Sequence, residues 1–254
     1  MGPTLAEIAR TLLRGRLPAV LRVNARPDPL YAVHATDHLG APLLLVAEDG
    51  PTARLLDARG LDAAVGSLSV EDVPPFVHAP TLGHAAVLGP IRRLEAGAAR
   101  EAVLRFADAN PVAELFDVGE GTAMYRLEVR QVRLEAGDTV HDIDPDTYRE
   151  AVPDPLHDEE SDLLADLANH HAAQIGAYLA RSLTAAGIRV AQLPLPVRLD
   201  RYGFVIALDP AAHQPRWLRL DFPAALRDRH ELANFLHPIL FHADCTSTEP
   251  PGHA

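Results

Sequence analysis

Two histidines stand side by side, His170 and His171, inside the stretch LANHHAAQIGAYLARSL (Leu167–Leu183). Leu164, Leu167, Ile175 and Leu179 recur there at helical spacing. His171 falls on that stripe, and His170 sits one position off it. An imidazole on a core-facing stripe is either a buried histidine satisfied by one hydrogen bond, or a ligand to a metal or to the iron of a haem. Adjacent helical side chains point about 100° apart, so the pair makes a poor chelate for one ion. The H-E-x-x-H spacing of helix-borne zinc sites is missing.

The other chemistry-bearing residues are arginines. All 23 basic residues are arginine, so no Schiff-base lysine or phosphate-loop lysine is available. A phosphate or carboxylate must be held by arginine, hydroxyls or backbone N–H groups. Arg126, opening the run AMYRLEV, and Arg54 could hold a flavin phosphate or a haem propionate, against the plainer reading of exposed arginines. HDIDPD (His141–Asp146) reads either as a solvated linker or as oxygen ligands for a hard cation. His230 and His237, seven apart, share a helix face and read as surface residues. VGEGTA (Val118–Ala123) lacks the third glycine and following helix of a dinucleotide loop, and there is no G-x-S-x-G elbow. The single cysteine, Cys245, excludes a disulfide framework and a cysteine-based zinc site.

Bulk properties narrow the partners. A net charge of −12 over 254 residues argues against nucleic acid and against a polybasic membrane patch. No apolar run reaches the length of a membrane span, and the N-terminus lacks the apolar core of a signal peptide, so the sequence predicts a cytoplasmic protein.

The elements that must position these residues fall into two groups. A helix with a T-x-x-E box runs from Thr4 to Gly15, followed by short apolar runs at 19–24, 30–36 and 42–47 that read as strands. A short helix starts at Pro51, strand character resumes at 61–70 and 81–95, a helix spans 97–110, and a long alternating strand covers 123–137 with a phase change near Gln131. Connections this short do not allow repeated βαβ crossovers, so the prediction is a small antiparallel barrel of about six strands. A linker is expected at 141–156, then a small α+β domain at 157–243: one long helix from Asp158 to Ala185, two or three strands, and a last helix from near Pro223. The tail 244–254 is expected to be disordered.

In this order the pieces resemble the haem-utilisation (HugZ-type) family, relatives of the pyridoxamine-phosphate oxidases. NHHAAQIGAYLARSL is similar to the family helix H-M-N-x-D-H-A-D-A-x-x-x-Y, and LDRYGFVIAL with RWLRLDFPAALRDRHELANFLHPIL looks like the strands and helix that follow it. ARTLLRG, APLLLVAEDGPTARLL, HAAVLGPIRRLE and AMYRLEVRQVRLEAG fall in family order before them, so the resemblance spans about residues 5–241. It implies an α+β chain with an N-terminal six-stranded antiparallel split barrel of the FMN-binding type (1–140) and the family's C-terminal α+β domain. It also implies a homodimer with ligand in the groove between two barrels. Some members bind and degrade haem, barrel-only kin use FMN, and a plant branch binds glutamyl-tRNA reductase as a protein partner.

Departures sit at ligand positions. His171 matches the second histidine of the family helix, but Asp166 stands in place of the first and His170 replaces an acidic residue. The family's H-T-x-N-L reads Pro51, Thr52, Ala53, Arg54, Leu55 here, and its Gly-Phe-Gly is absent from EAGDTVHDID. The resemblance therefore implies a haem- or flavin-linked binding protein, haem-degrading if it is an enzyme, with His171 as ligand to the haem iron and Arg126 on a propionate. One alternative is a regulatory or interaction protein that has lost its cofactor. The other is an FMN-dependent oxidoreductase whose phosphate is held by Arg54 and Thr52.

Overall fold

The structure is a computed structural model, which describes residues 2–23, 28–57, 64–190, 192–208 and 216–241. Cys245 and the expected disordered tail lie outside the described residues.

Thr4 starts the first helix, α1 (Leu5–Leu12), through a full capping box: its hydroxyl accepts from the Glu7 N–H, and the Glu7 carboxylate accepts from the Thr4 N–H at 2.8 Å. Strands β1 (Ala19–Val23), β2 (Leu30–Ala32), β3 (His34–Thr36) and β4 (Pro42–Ala47) follow, then α2 (Pro51–Asp57), β5 (Ala64–Glu71), β6 (His84–Arg93), α3 (Ala96–Ala109) and β7 (Thr122–Leu127). All pairings are antiparallel, in the order β2-β1-β5-β6-β7-β4-β3. The path holds seven strands where six are expected. The reason lies in residues 30–36: Leu30–Ala32 pairs with β1, His34–Thr36 pairs with β4, and the change of partner at Val33 divides one extended run into two strands. The two ends of the sheet are thereby neighbours in the chain, which makes the sheet barrel-like and nearly closed.

The expected long strand at 123–137 is likewise two strands, β7 and β8 (Gln131–Ala136), with the break just before Gln131. β8 leaves the main path and pairs with the N-terminal half of β6 and with β9 (Thr139–Ile143). Alternation sends Leu21, Leu44, Leu68, Val87, Tyr125 and Leu134 inward, where α1 closes the core with Leu12 and Leu13. The opposite face of β4 and β7, with Leu43 and Met124, is covered by Ala99, Ala102 and Phe106 of α3.

The predicted linker is ordered structure. Its first residues finish β9, and Asp144 then caps α4 (Pro145–Glu150) by accepting from the N–H groups of Asp146 and Thr147. Tyr148 is fully buried and donates its hydroxyl to the Gly40 carbonyl at 2.9 Å. Asp and Pro act here as cap and first-turn residues rather than as loop formers. The first compact unit comprises Pro3–Val73 and Thr81–Asp154, and the second Pro155–Ala254 with Pro74–Pro80 and Met1–Gly2.

In the second unit the predicted 28-residue helix is broken. A short 3₁₀ turn (His157–Glu159) leads into α5 (Glu160–His170), and α6 (Ala172–Ala185) follows after His171, whose φ of −131° and ψ of 17° leave the helix. The break interrupts the helical ladder between two bonds that remain: the His171 N–H donates to the Leu167 carbonyl, closing α5, and the His171 carbonyl accepts from the Ile175 N–H, opening α6. Gly187, at φ 78°, ends α6 with its N–H on the Thr184 carbonyl. Strands β10 (Leu195–Asp200), β11 (Gly203–Ala207) and β12 (Trp217–Asp221) form an antiparallel sheet in that order. The last helix, α7 (Arg229–Phe241), begins later than expected, behind Asp228, whose carboxylate accepts from the Glu231 N–H. Leu164, Leu179, Phe204, Ile206, Phe222 and Leu232 form this unit's core.

Candidate functional site

The helix break decides what His171 does. On one continuous helix it would face the core; at the junction it is half-buried and lines a pocket of about 300 Å³ between α5, the junction and α7. The walls are mostly leucine (Leu163, Leu167, Leu232, Leu236, Leu240), and the polar groups are His171, His237, Asp166 and Arg229. The His171 ring meets the edge of the Phe241 ring at 5.6 Å, and the His237 ring lies 5.2 Å from the same phenyl. Neither ring nitrogen of His171 has a hydrogen-bond partner among the described residues. His170 is not part of the pocket: it is exposed, with its Nδ1 3.1 Å from the Asp166 carboxylate. Arg229 donates to Glu159 at 2.9 Å.

His237 reads in the sequence as a surface residue. It is exposed, yet it also belongs to this pocket. The signal that marks it is its i, i+4 spacing to Phe241 on α7, which stacks one ring over the other.

The remaining expected ligand residues are not gathered anywhere. Thr52, on the first turn of α2, lines a cavity of about 440 Å³ at the seam of the first unit, where Val33 joins β2 to β3. Its walls are Leu21, Leu30, Leu44 and Val46, and its one charged group is Glu114. Arg54 is not among its walls; its guanidinium turns back to the Asp49 carbonyl at 2.9 Å. Arg126 lies on β7 between two inward residues, Tyr125 and Leu127, so its side chain leaves by the opposite face. There it pairs with Asp37 at 2.6 Å, beneath α3.

These positions test the two cofactors that the sequence suggests. FMN needs cations or hydroxyls converging on its phosphate. The seam cavity offers one carboxylate and no cation, and within one chain Thr52, Arg54 and Arg126 do not converge on a common phosphate position. Haem needs an imidazole with a free nitrogen, apolar walls for the macrocycle and a cation near its propionates. His171, the five leucines and Arg229 in the second unit match that donor set.

No group of three or more histidine, cysteine or acidic side chains able to hold a metal ion occurs among the described residues. The HDIDPD carboxylates are spent on structure: Asp142 pairs with Arg133, Asp144 caps α4, and Asp146 pairs with Arg149. Among the described residues no helix is long and apolar enough to cross a membrane.

No protein-family model and no curated protein matches the chain. Among solved structures it is similar to a heme binding protein from Mycobacterium smegmatis, with 18% identity over 96% of this chain and 98% of that one and a TM-score of 0.70. It is also similar to the protein Atu2129 from Agrobacterium tumefaciens (18% identity, 91% and 93% covered, TM-score 0.45) and to Campylobacter jejuni ChuZ (13% identity, 54% and 58% covered, TM-score 0.42). The first likeness spans nearly the whole of both chains and shows a shared fold, a barrel-like antiparallel sheet followed by a small α+β unit.

Proposed function

We propose that the protein binds haem through its second unit, with His171 as the residue offered to the iron. The observation that carries this reading is the His171 imidazole, free at both ring nitrogens, on the wall of a leucine-lined pocket. The shared fold with a heme binding protein supports it. The leucines would exclude water from a bound macrocycle, and Phe241 packs against the His171 ring. Arg229 offers a cation to a propionate, and His237 is a second imidazole within the same walls. When bound, haem supplies the redox and oxygen chemistry, and the protein orients and shields it. The resemblance adds homodimeric assembly to this reading.

The test is a haemin titration followed at the Soret band. The expected result is saturable binding at one haem per subunit, with affinity lowered at least about tenfold in His171→Ala and an altered spectrum. Unchanged affinity and spectrum in that variant would remove His171 from the role. If wild-type protein also shows no saturable shift, the second reading stands: an interaction protein that keeps the fold without the cofactor. The scattering of Thr52, Arg54 and Arg126 favours it over a flavin enzyme.

A further inference from the structure

Arginines gather at a second place, away from the histidine pocket and independent of it. A cavity of about 230 Å³ in the first unit is lined by Arg10, Arg14, Arg16 and Arg105, with Asp37 and Asp108 as its carboxylates. This concentration of cations stands out in a chain whose net charge is −12. Four segments build it: α1 and the residues after it, the end of β3 with its following turn, the C-terminal half of α3, and Pro153 after α4.

Arg10 is the informative member. It is 7% exposed, yet its partners are neutral: Nε donates to the Ala151 carbonyl and Nη2 to the His38 carbonyl, each at 3.1 Å, and the Tyr148 ring lies 5.2 Å from the guanidinium carbon. Among the described residues it forms no ion pair. A buried charge is costly unless it is paired. The Asp37 carboxylate is already committed, to the N–H groups of Leu39 and Ala41 at 2.9 Å and to Arg126 at 2.6 Å. Arg105 extends the cationic wall and forms no ion pair among the described residues. It also faces an adjoining cleft of about 110 Å³ that holds Arg126.

We propose that this cavity binds a small oxyanion, the phosphate or carboxylate group of a small molecule, between Arg10 and the arginines at its mouth. Guanidinium forks suit both groups, because each presents paired oxygens to parallel N–H donors. A volume of about 230 Å³ suits a compact anion and falls below the range of about 300–1,000 Å³ usual for larger ligands.

The experiment is isothermal titration calorimetry of the full chain with inorganic phosphate and, separately, with succinate, at low ionic strength where exposed arginines are least screened. Saturable binding of either anion at one per subunit is expected; the tighter one assigns the ligand to the phosphate or the carboxylate class. Arg105→Glu reverses an exposed charge without touching the core, and is expected to weaken binding at least about tenfold. Arg14→Gln is expected to weaken it as well. Arg100→Gln, on the same helix but outside the cavity, is expected to leave it unchanged. Failure of wild-type protein to bind either anion would overturn the site, as would equal binding by Arg105→Glu. Haemin affinity is expected to be the same in Arg105→Glu and wild type, so this test and that of the histidine pocket fail separately.

Discussion

Glu160 and Arg198 face each other through two parallel hydrogen bonds, Nε to Oε1 and Nη2 to Oε2, both 2.9 Å, with each side chain 5% exposed. The Leu199 N–H adds a third donor to the carboxylate at 2.8 Å. Removing one partner strands the other charge in the core, so Glu160→Gln is expected to cost about 3–5 kcal/mol. Urea denaturation at pH 7 measures it. A loss well below about 1 kcal/mol would mean that the pair is not buried in solution.

The same pair gives a pH dependence. Burial alone pushes the Glu160 carboxyl up, but His157, Arg198 and the Leu199 N–H together hold it below its ordinary 4.5. A carboxyl that is more acidic in the folded state adds stability above its unfolded pKa and loses it as pH falls through the folded value. Wild type is therefore expected to lose stability below about pH 4.5 more steeply than Glu160→Gln. Parallel curves for the two proteins would refute the assignment.

His34 acts in a neighbouring pH window. Its Nε2 lies 3.0 Å from the Leu13 carbonyl, which can only accept, so the proton sits on Nε2 and the buried Nδ1 has no partner. Burial pushes its pKa down to about 4, against the smaller opposing effect of the carbonyl. The folded state thus resists a proton that the unfolded chain takes up near pH 6.5. Stability is full above about pH 6.5 and falls by up to about 3 kcal/mol as pH drops towards 4. His34→Gln keeps a donor for Leu13 and has nothing to titrate. The stability gap between wild type and this variant is expected to shift in favour of the variant from pH 7 to pH 4.5; a constant gap would refute the neutral core histidine.

Gly40 is tied to the arginine cavity. Its φ is 80°, and a Cβ there would stand 1.6 Å from Nη1 of Arg10. Gly40→Ala must strain the backbone and displace the guanidinium from its carbonyls. The expected loss is about 2–4 kcal/mol by thermal or chemical unfolding. Retention of wild-type stability would show that Arg10 takes another position.

Thr52→Val, Arg54→Gln and Arg126→Gln probe the expected ligand residues directly. None lies in the histidine pocket, so each is expected to bind haemin within about twofold of wild type. A tenfold loss, about 1.4 kcal/mol, in any of them would move the ligand to the first unit.

Alternation and turn chemistry made most of the strands and the T-x-x-E helix readable, because those signals are local. The misreadings occur where a long-range partner overrides the local pattern. Residues 30–36 look like one strand, and only the switch from β1 to β4 divides them. The stretch 141–156 looks like a linker because few of its residues are apolar, but Ile143 and Tyr148 belong to the first unit's core and Leu156 to the second's. His171 was visible as unusual. The break that turns it from the core to a pocket wall was not, since Ala, Leu and Gln around it all favour helix. The meeting of His171 with His237, 66 residues later, depends on how α5 and α7 pack, which no local pattern encodes.

The loop Pro74–Pro80, cut from the middle of the first unit's sequence, packs with the second unit, where the Pro80 carbonyl accepts from Arg198 and the His78 carbonyl from the indole of Trp217. The C-terminal module is therefore not a contiguous cassette. A gene fragment that begins at Pro155 encodes a unit lacking one of its own pieces, and leaves Arg198 short of an acceptor beside its carboxylate. Recombination or truncation at the apparent boundary would part the second unit from that piece, which ties the inheritance of the two units together.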